Sequence, residues 1–130
     1  MKKVLIIEDN PNNLYMMRFI VTKLGHQVLE ARDGASGVDM AKKNRPDLIL
    51  MDIQLPILDG YAATQKIRED DTLAGVPIIA VTSYAMVGDR EKTLEAGCTA
   101  YVEKPINPET FIQVLERYLK PPESDPPLER

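Results

Sequence analysis

The sequence is poor in the residues that most often staple or metallate a small protein. Among 130 residues there is no tryptophan, one cysteine and one histidine. Cys98 alone cannot close an internal disulfide, and no Cys/His set of the kind that binds zinc can be assembled around it. In EAGCTAY it reads as a small packed side chain, and His26 in LGHQV as a loop residue leading into a strand. Long apolar runs are also missing. MKKVLIIEDN places only four apolar residues between its lysines and Glu8, short of the roughly 7 to 15 of a signal peptide. No run approaches the roughly 18 needed to span a membrane, so a cytoplasmic protein with no membrane role is expected. Nor is there a basic cluster. The 16 Lys and Arg are interspersed among 20 Asp and Glu, for a net charge of -4, which argues against direct nucleic-acid binding.

What the chain does have is alternation. With 44% hydrophobic residues it can bury one ordinary core. VLII (4–7), VLEA (28–31), LILM (48–51), VPIIAV (76–81) and AYV (100–102) read as strands. Between them, apolar residues recur three or four apart. Leu14, Met17, Val21 and Leu24 mark a first helix stopped by Gly25. Ala35, Val38 and Ala41 mark a second, and Ala63 and Ile67 a third that starts after Asp59 and Gly60. Asp89 to Ala96 forms a fourth, and Phe111, Leu115 and Tyr118 or Leu119 a fifth with Asn107 as cap and Pro108 at its first position. Five strands alternating with five helices predict a parallel sheet covered on both faces. Strands 1, 3 and 4 are apolar at consecutive positions and belong in the middle; VLEA, carrying Glu30, belongs at an edge. The order 2-1-3-4-5 satisfies this, a flavodoxin-like doubly wound (βα)5 three-layer sandwich. The domain is expected to span 1–119, and KPPESDPPLER (120–130) to be a solvated Pro-rich tail.

In such a sheet the ligand site lies beyond the carboxyl ends of the central strands. Strand 1 delivers Glu8 and Asp9 there, strand 3 Asp52, strand 4 Thr82 and Ser83, and strand 5 leads to Lys104. Two like unit charges about 4 Å apart cost on the order of 4 kcal/mol at an effective dielectric of 20, so three carboxylates would resist sharing a pocket. A divalent cation resolves the conflict, and all-oxygen ligands select Mg²⁺ or a similarly hard ion.

Taken in order, IIEDN, LILMDIQLPILDG, VTS and EKP resemble the receiver domain of two-component response regulators, over residues 3–119. Within that family the chain looks most like the single-domain, cell-division type. The resemblance implies that Asp52 accepts a phosphoryl group from a histidine kinase or histidine phosphotransfer protein. Glu8, Asp9, Asp52 and the backbone carbonyl of Gln54 would hold Mg²⁺ (or Mn²⁺). Lys104 would pair with a phosphoryl oxygen and Thr82 would donate its hydroxyl to another. Pro105 would follow a cis peptide, and Tyr101 would rotate with Thr82 to remodel the face of helix 4, strand 5 and helix 5. Gln54, Ser83 and Tyr84 would flank the phosphoryl group and set its lifetime. Output would run through protein contacts, by a monomer or a phosphorylation-dependent dimer, without turnover of a separate substrate. Rival readings fit less well. An Asp-nucleophile phosphatase of the haloacid dehalogenase type needs a second carboxylate where Gln54 stands. A flavodoxin-like cofactor binder needs a Gly- and Ser-rich phosphate loop where the chain has EDNPNN, and the same loop lacks the central glycine of an EF-hand.

Overall fold

The computed structural model describes residues 2–83 and 87–119. Tyr84 and the tail expected at 120–130 lie outside the described residues. Strands and helices alternate as β1 (Lys3–Ile7), α1 (Pro11–Lys23), β2 (Gln27–Ala31), α2 (Gly34–Asn44), β3 (Leu48–Asp52), α3 (Gly60–Arg68), β4 (Ile78–Thr82), α4 (Val87–Ala96), β5 (Ala100–Glu103) and α5 (Pro108–Leu119), with a 3-10 turn at Asp71–Leu73. All pairings are parallel and the order is β2-β1-β3-β4-β5.

The burial pattern explains that order. Every residue of β3 and β4 is buried, as are Val4 to Ile7 of β1, so these strands can only lie between neighbours and under helices on both sides. β2, whose Glu30 is half-buried, takes the edge. Successive side chains point to opposite faces, which splits the core in two. Val4, Ile6, Leu48, Leu50, Ile79 and Val81 meet Leu14, Met17 and Val21 of α1 and Phe111, Leu115 and Leu119 of α5. Leu5, Ile7, Ile49, Met51, Ile78 and Ala80 meet Val38 and Ala41 of α2 and Ala63 and Ile67 of α3.

Each strand differs from the sequence expectation by a residue or two at one end or both, and the changes in β3 and β4 matter. β4 begins at Ile78, not Val76: Pro77 has no N–H to give, although its carbonyl accepts from the Ile49 N–H at 2.9 Å. β3 and β4 each run one residue further, so Asp52 and Thr82 are the last residues of strands. Their backbones are therefore fixed by the ladder, with Asp52 in register with Val81 and Thr82 with Glu103.

Helix starts cluster at the same edge. Asn10 accepts from the Asn12 and Asn13 N–H groups at 2.9 and 3.0 Å, Asp33 from Ser36 at 2.7 Å, Asp59 from Ala62 at 2.9 Å, and Asn107 from Glu109 and Thr110 at 3.0 and 3.3 Å. Each satisfies helical donors that would otherwise be orphaned. The third helix also comes unusually close to β3. A Cβ on Gly60 would lie 2.5 Å from the Asp52 carbonyl oxygen and 2.6 Å from the Ile53 Cα, so only glycine lets α3 start against the end of that strand. Gly60→Ala is expected to cost at least about 2 kcal/mol, as overpacking against atoms that cannot give way does. Gly75→Ala, which meets nothing within 4 Å, should stay within roughly 0.5 kcal/mol of wild type or gain slightly. Urea unfolding of the two variants side by side checks the contrast.

Candidate functional site

The strand register brings the acidic residues together. Ile7 is level with Met51, so the next residues, Glu8 and Asp52, emerge side by side from β1 and β3. One carboxylate oxygen from each of Glu8, Asp9 and Asp52 lies within 4.8 Å of the others. Lys104 follows β5, where its N–H bonds the Thr82 carbonyl at 2.8 Å. Its ammonium reaches across to Asp52 Oδ1 at 3.2 Å and Glu8 Oε1 at 3.4 Å. The Lys104–Pro105 peptide is cis. Together with Asn10, Asn13, Gln54 and Ser83, these groups line a cleft of about 490 Å³.

The three carboxylates live in different surroundings. Glu8 is fully buried and Asp52 only 2% exposed, whereas Asp9 faces solvent. Asp52 Oδ1 also accepts from the Gln54 N–H at 3.1 Å, and Glu8 Oε2 from the Asn10 N–H at 3.1 Å. Glu8 Oε1 has no hydrogen-bond donor; the Lys104 contact attracts it without bonding geometry. The pKa of Glu8 is raised to about 7, chiefly by burial and then by Asp52, through a hydrogen bond open only to the protonated acid and through like charge, against Lys104 and the Asn10 N–H, which lower it. A buried acceptor without a donor is costly, and an all-oxygen set aimed at one point is what a hard cation coordinates. The residues present fit such an ion, with Glu8 Oε1 as the group in most need of it.

Thr82 and Tyr101 sit beside the cleft rather than in its lining. Tyr101 is in register with the small Ala80, lies diagonally from Thr82 on the same face of the sheet and packs against the core on that face. Thr82 is buried and Tyr101 half-buried. His26 and Cys98 lie elsewhere. His26 Nδ1 accepts from the Lys2 N–H at 3.2 Å, and Cys98 is buried with Sγ 3.6 Å from Thr64 Oγ1, its thiol pKa raised by that burial. Asn10 was missed by sequence reasoning, though it both caps α1 and binds Glu8. The signal was the Asn-Pro step in EDNPNN, the same pairing that marks Asn107 and Pro108.

Comparison with known proteins identifies the family. A family model described as response regulator receiver domain matches residues 4–116. The polar-differentiation response regulator DivK of Brucella anthropi is 43% identical over 118 residues, 91% of this chain and 96% of that protein. The receiver domain of a sensor histidine kinase from Pseudomonas aeruginosa PAO1, solved with a magnesium ion coordinated in its active site cleft, is 40% identical with a TM-score of 0.86, covering 92% of this chain and 98% of that one. Chemotaxis response regulator CheY4 of Vibrio cholerae shares 28% identity, TM-score 0.87, over 92% and 99% of the two chains. No helix among the described residues is long and apolar enough to cross a membrane.

The pKa of Glu8 makes stability depend on pH. Between 4.5, its ordinary value, and about 7 the folded protein holds a proton that the unfolded chain has lost. Stability therefore falls as pH rises through this window. In chelator, Glu8→Gln should exceed wild type in thermal midpoint at pH 8, with the gap closing toward pH 5. Saturating Mg²⁺ should raise the wild-type midpoint at pH 8 and leave the Gln variant less affected. Scanning calorimetry across pH, with and without Mg²⁺, measures both.

Proposed function

Because the chain belongs to the response regulator receiver domain family of two-component signalling, we propose that its switch is a phosphoryl group accepted on Asp52. The observation that carries this reading is the nearly buried Asp52 carboxylate, held by Lys104 at 3.2 Å beside Glu8 and Asp9 oxygens within 4.8 Å. Asp52 supplies the nucleophile. Its carboxylate oxygen attacks the phosphorus of a phosphohistidine; the new O–P bond forms as the P–N bond breaks, and that electron pair returns to the imidazole. The donor is a histidine kinase or a histidine phosphotransfer protein.

Glu8, Asp9, Asp52 and the Gln54 carbonyl would hold Mg²⁺ or Mn²⁺. When bound, such an ion offsets the negative charge crowded between carboxylates and phosphoryl oxygens. Lys104 already bridges Asp52 and Glu8, and a flexible ammonium of this kind can turn to an arriving phosphoryl oxygen as a point charge. Thr82, fixed as the last residue of β4, donates its hydroxyl to another. Tyr101 then turns toward the space beside Ala80, which remodels the face of α4, β5 and α5 for a protein partner. Asp52 is thus catalyst and product site together. Residues 1–119 act as the receiver, and 120–130 as an appended tail.

Incubation with acetyl phosphate and Mg²⁺, followed by intact mass, tests the reading. Wild type should gain one phosphoryl group; Asp52→Asn and wild type in chelator should gain none. Failure of wild type with both acetyl phosphate and a competent kinase would sink the proposal. The lifetime of the phosphorylated form supplies a second check. Gln54 is exposed at the rim of the cleft and Tyr84 is two residues beyond Thr82, so Gln54→Ala and Tyr84→Ala should each speed loss of phosphate by admitting water, as followed by mass over time.

A further inference from the structure

α4 is tied to its neighbours by positive charge, but the ties differ in strength. At its C-terminal end the Arg68 guanidinium of α3 donates from Nε to the Gly97 carbonyl at 2.9 Å, and from NH1 to the Leu73 and Ala74 carbonyls at 3.0 and 3.3 Å. Several hydrogen bonds from one half-buried cation are hard to break together. Further along, two cations of α4 itself lie over tyrosine rings. Arg90 Cζ is 5.5 Å from the centroid of Tyr101 on β5, and Lys92 Nζ is 5.8 Å from that of Tyr61 on α3. Both cations are exposed, where such contacts favour one arrangement by a factor of about two to five.

The two rings are not equivalent. Tyr61 starts α3, whereas Tyr101 stands diagonally from Thr82 over Ala80 and also borders a groove of about 380 Å³ formed with Pro105, Asn107 and Val114. Its ring thus has the groove on one side and the small Ala80 side chain on the other. We propose that Arg90 is a positioning residue that latches Tyr101 outward in the unphosphorylated protein, and that losing this contact passes the switch on to α4. The proposal rests on the receiver reading above. A contact made in only one of two states biases the equilibrium by its own free energy. When the ring turns toward Ala80 and Thr82 its face leaves the guanidinium, and α4 loses a tether to β5. Arg68 still holds the Gly97 end, so the helix pivots there.

The test uses the whole chain labelled with 3-fluorotyrosine and titrated with beryllofluoride in Mg²⁺ as a stand-in for the phosphoryl group. Arg90→Ala should bind beryllofluoride about two- to fivefold tighter than wild type. Before any addition, its Tyr101 fluorine resonance should already sit partway to the bound position. Arg90→Lys keeps a cation over the ring and should restore wild-type affinity, and Lys92→Ala should leave it unchanged. The latch is overturned if Arg90→Ala matches wild type, if Arg90→Lys is as altered as the alanine variant, or if Lys92→Ala tightens binding equally. If wild type gives no Mg²⁺-dependent response, or Asp52→Asn keeps one, the receiver reading itself fails, which distinguishes the two.

Discussion

Crowded negative charge is what the rest of this molecule is built to hold. Three carboxylates reach within 4.8 Å of one another, one of them fully buried, with a single ammonium between two of them. At an effective dielectric of about 20, each unpaired like-charge contact at this range opposes folding by roughly 4 kcal/mol. The chain tolerates the crowding because the residues that carry it leave β1 and β3, whose apolar side chains are buried on both faces. A backbone fixed by ladders on either side cannot swing its carboxylates apart. The remaining conflict falls on Glu8, which keeps a proton to near neutrality. Stability is given up at the place where a cation would restore it.

The supporting structure follows from that constraint. Helix caps at Asn10, Asp33, Asp59 and Asn107 fix short connections along the same edge, and they direct helix N-termini, with their partial positive charge, toward it. Gly60 lets α3 begin against the Asp52 carbonyl, so the loop after Asp52 stays compact. On the far side of β4, Thr82 and Tyr101 share one face of the sheet. The layer under α1 and α5 is built on the opposite face.

Much of this could be read from the residues in order. LILM and VLII are apolar at consecutive positions, which only a strand covered on both faces explains, and Glu30 marks the edge strand for the opposite reason. Strand order and the side on which the acids collect follow from these patterns. Strand ends were less legible. Whether Asp52 belongs to a strand or a loop depends on Val81 standing level with it, and that register is absent from the local sequence. The cis bond before Pro105 was expected from family resemblance alone. Arg68, Arg90 and Lys92 gave no signal, because a cation's place over a carbonyl or a ring depends on how helices settle against their neighbours.

The alternation of strands and helices, the doubly wound order and the set of side chains delivered to one edge are all written in the order of residues. Hydrophobic periodicity and topology suffice for that, since they decide faces and ends. Differences between neighbours in the chain arise from packing. Glu8 is buried and short of a donor while Asp9 is in water, although the two stand side by side in EDN. Tyr61 and Tyr101 both lie under a cation of α4, yet only Tyr101 has Thr82 beside it. Solvent exposure and distances of a few ångströms between remote residues set protonation and coupling, and both come from packing rather than from order along the chain.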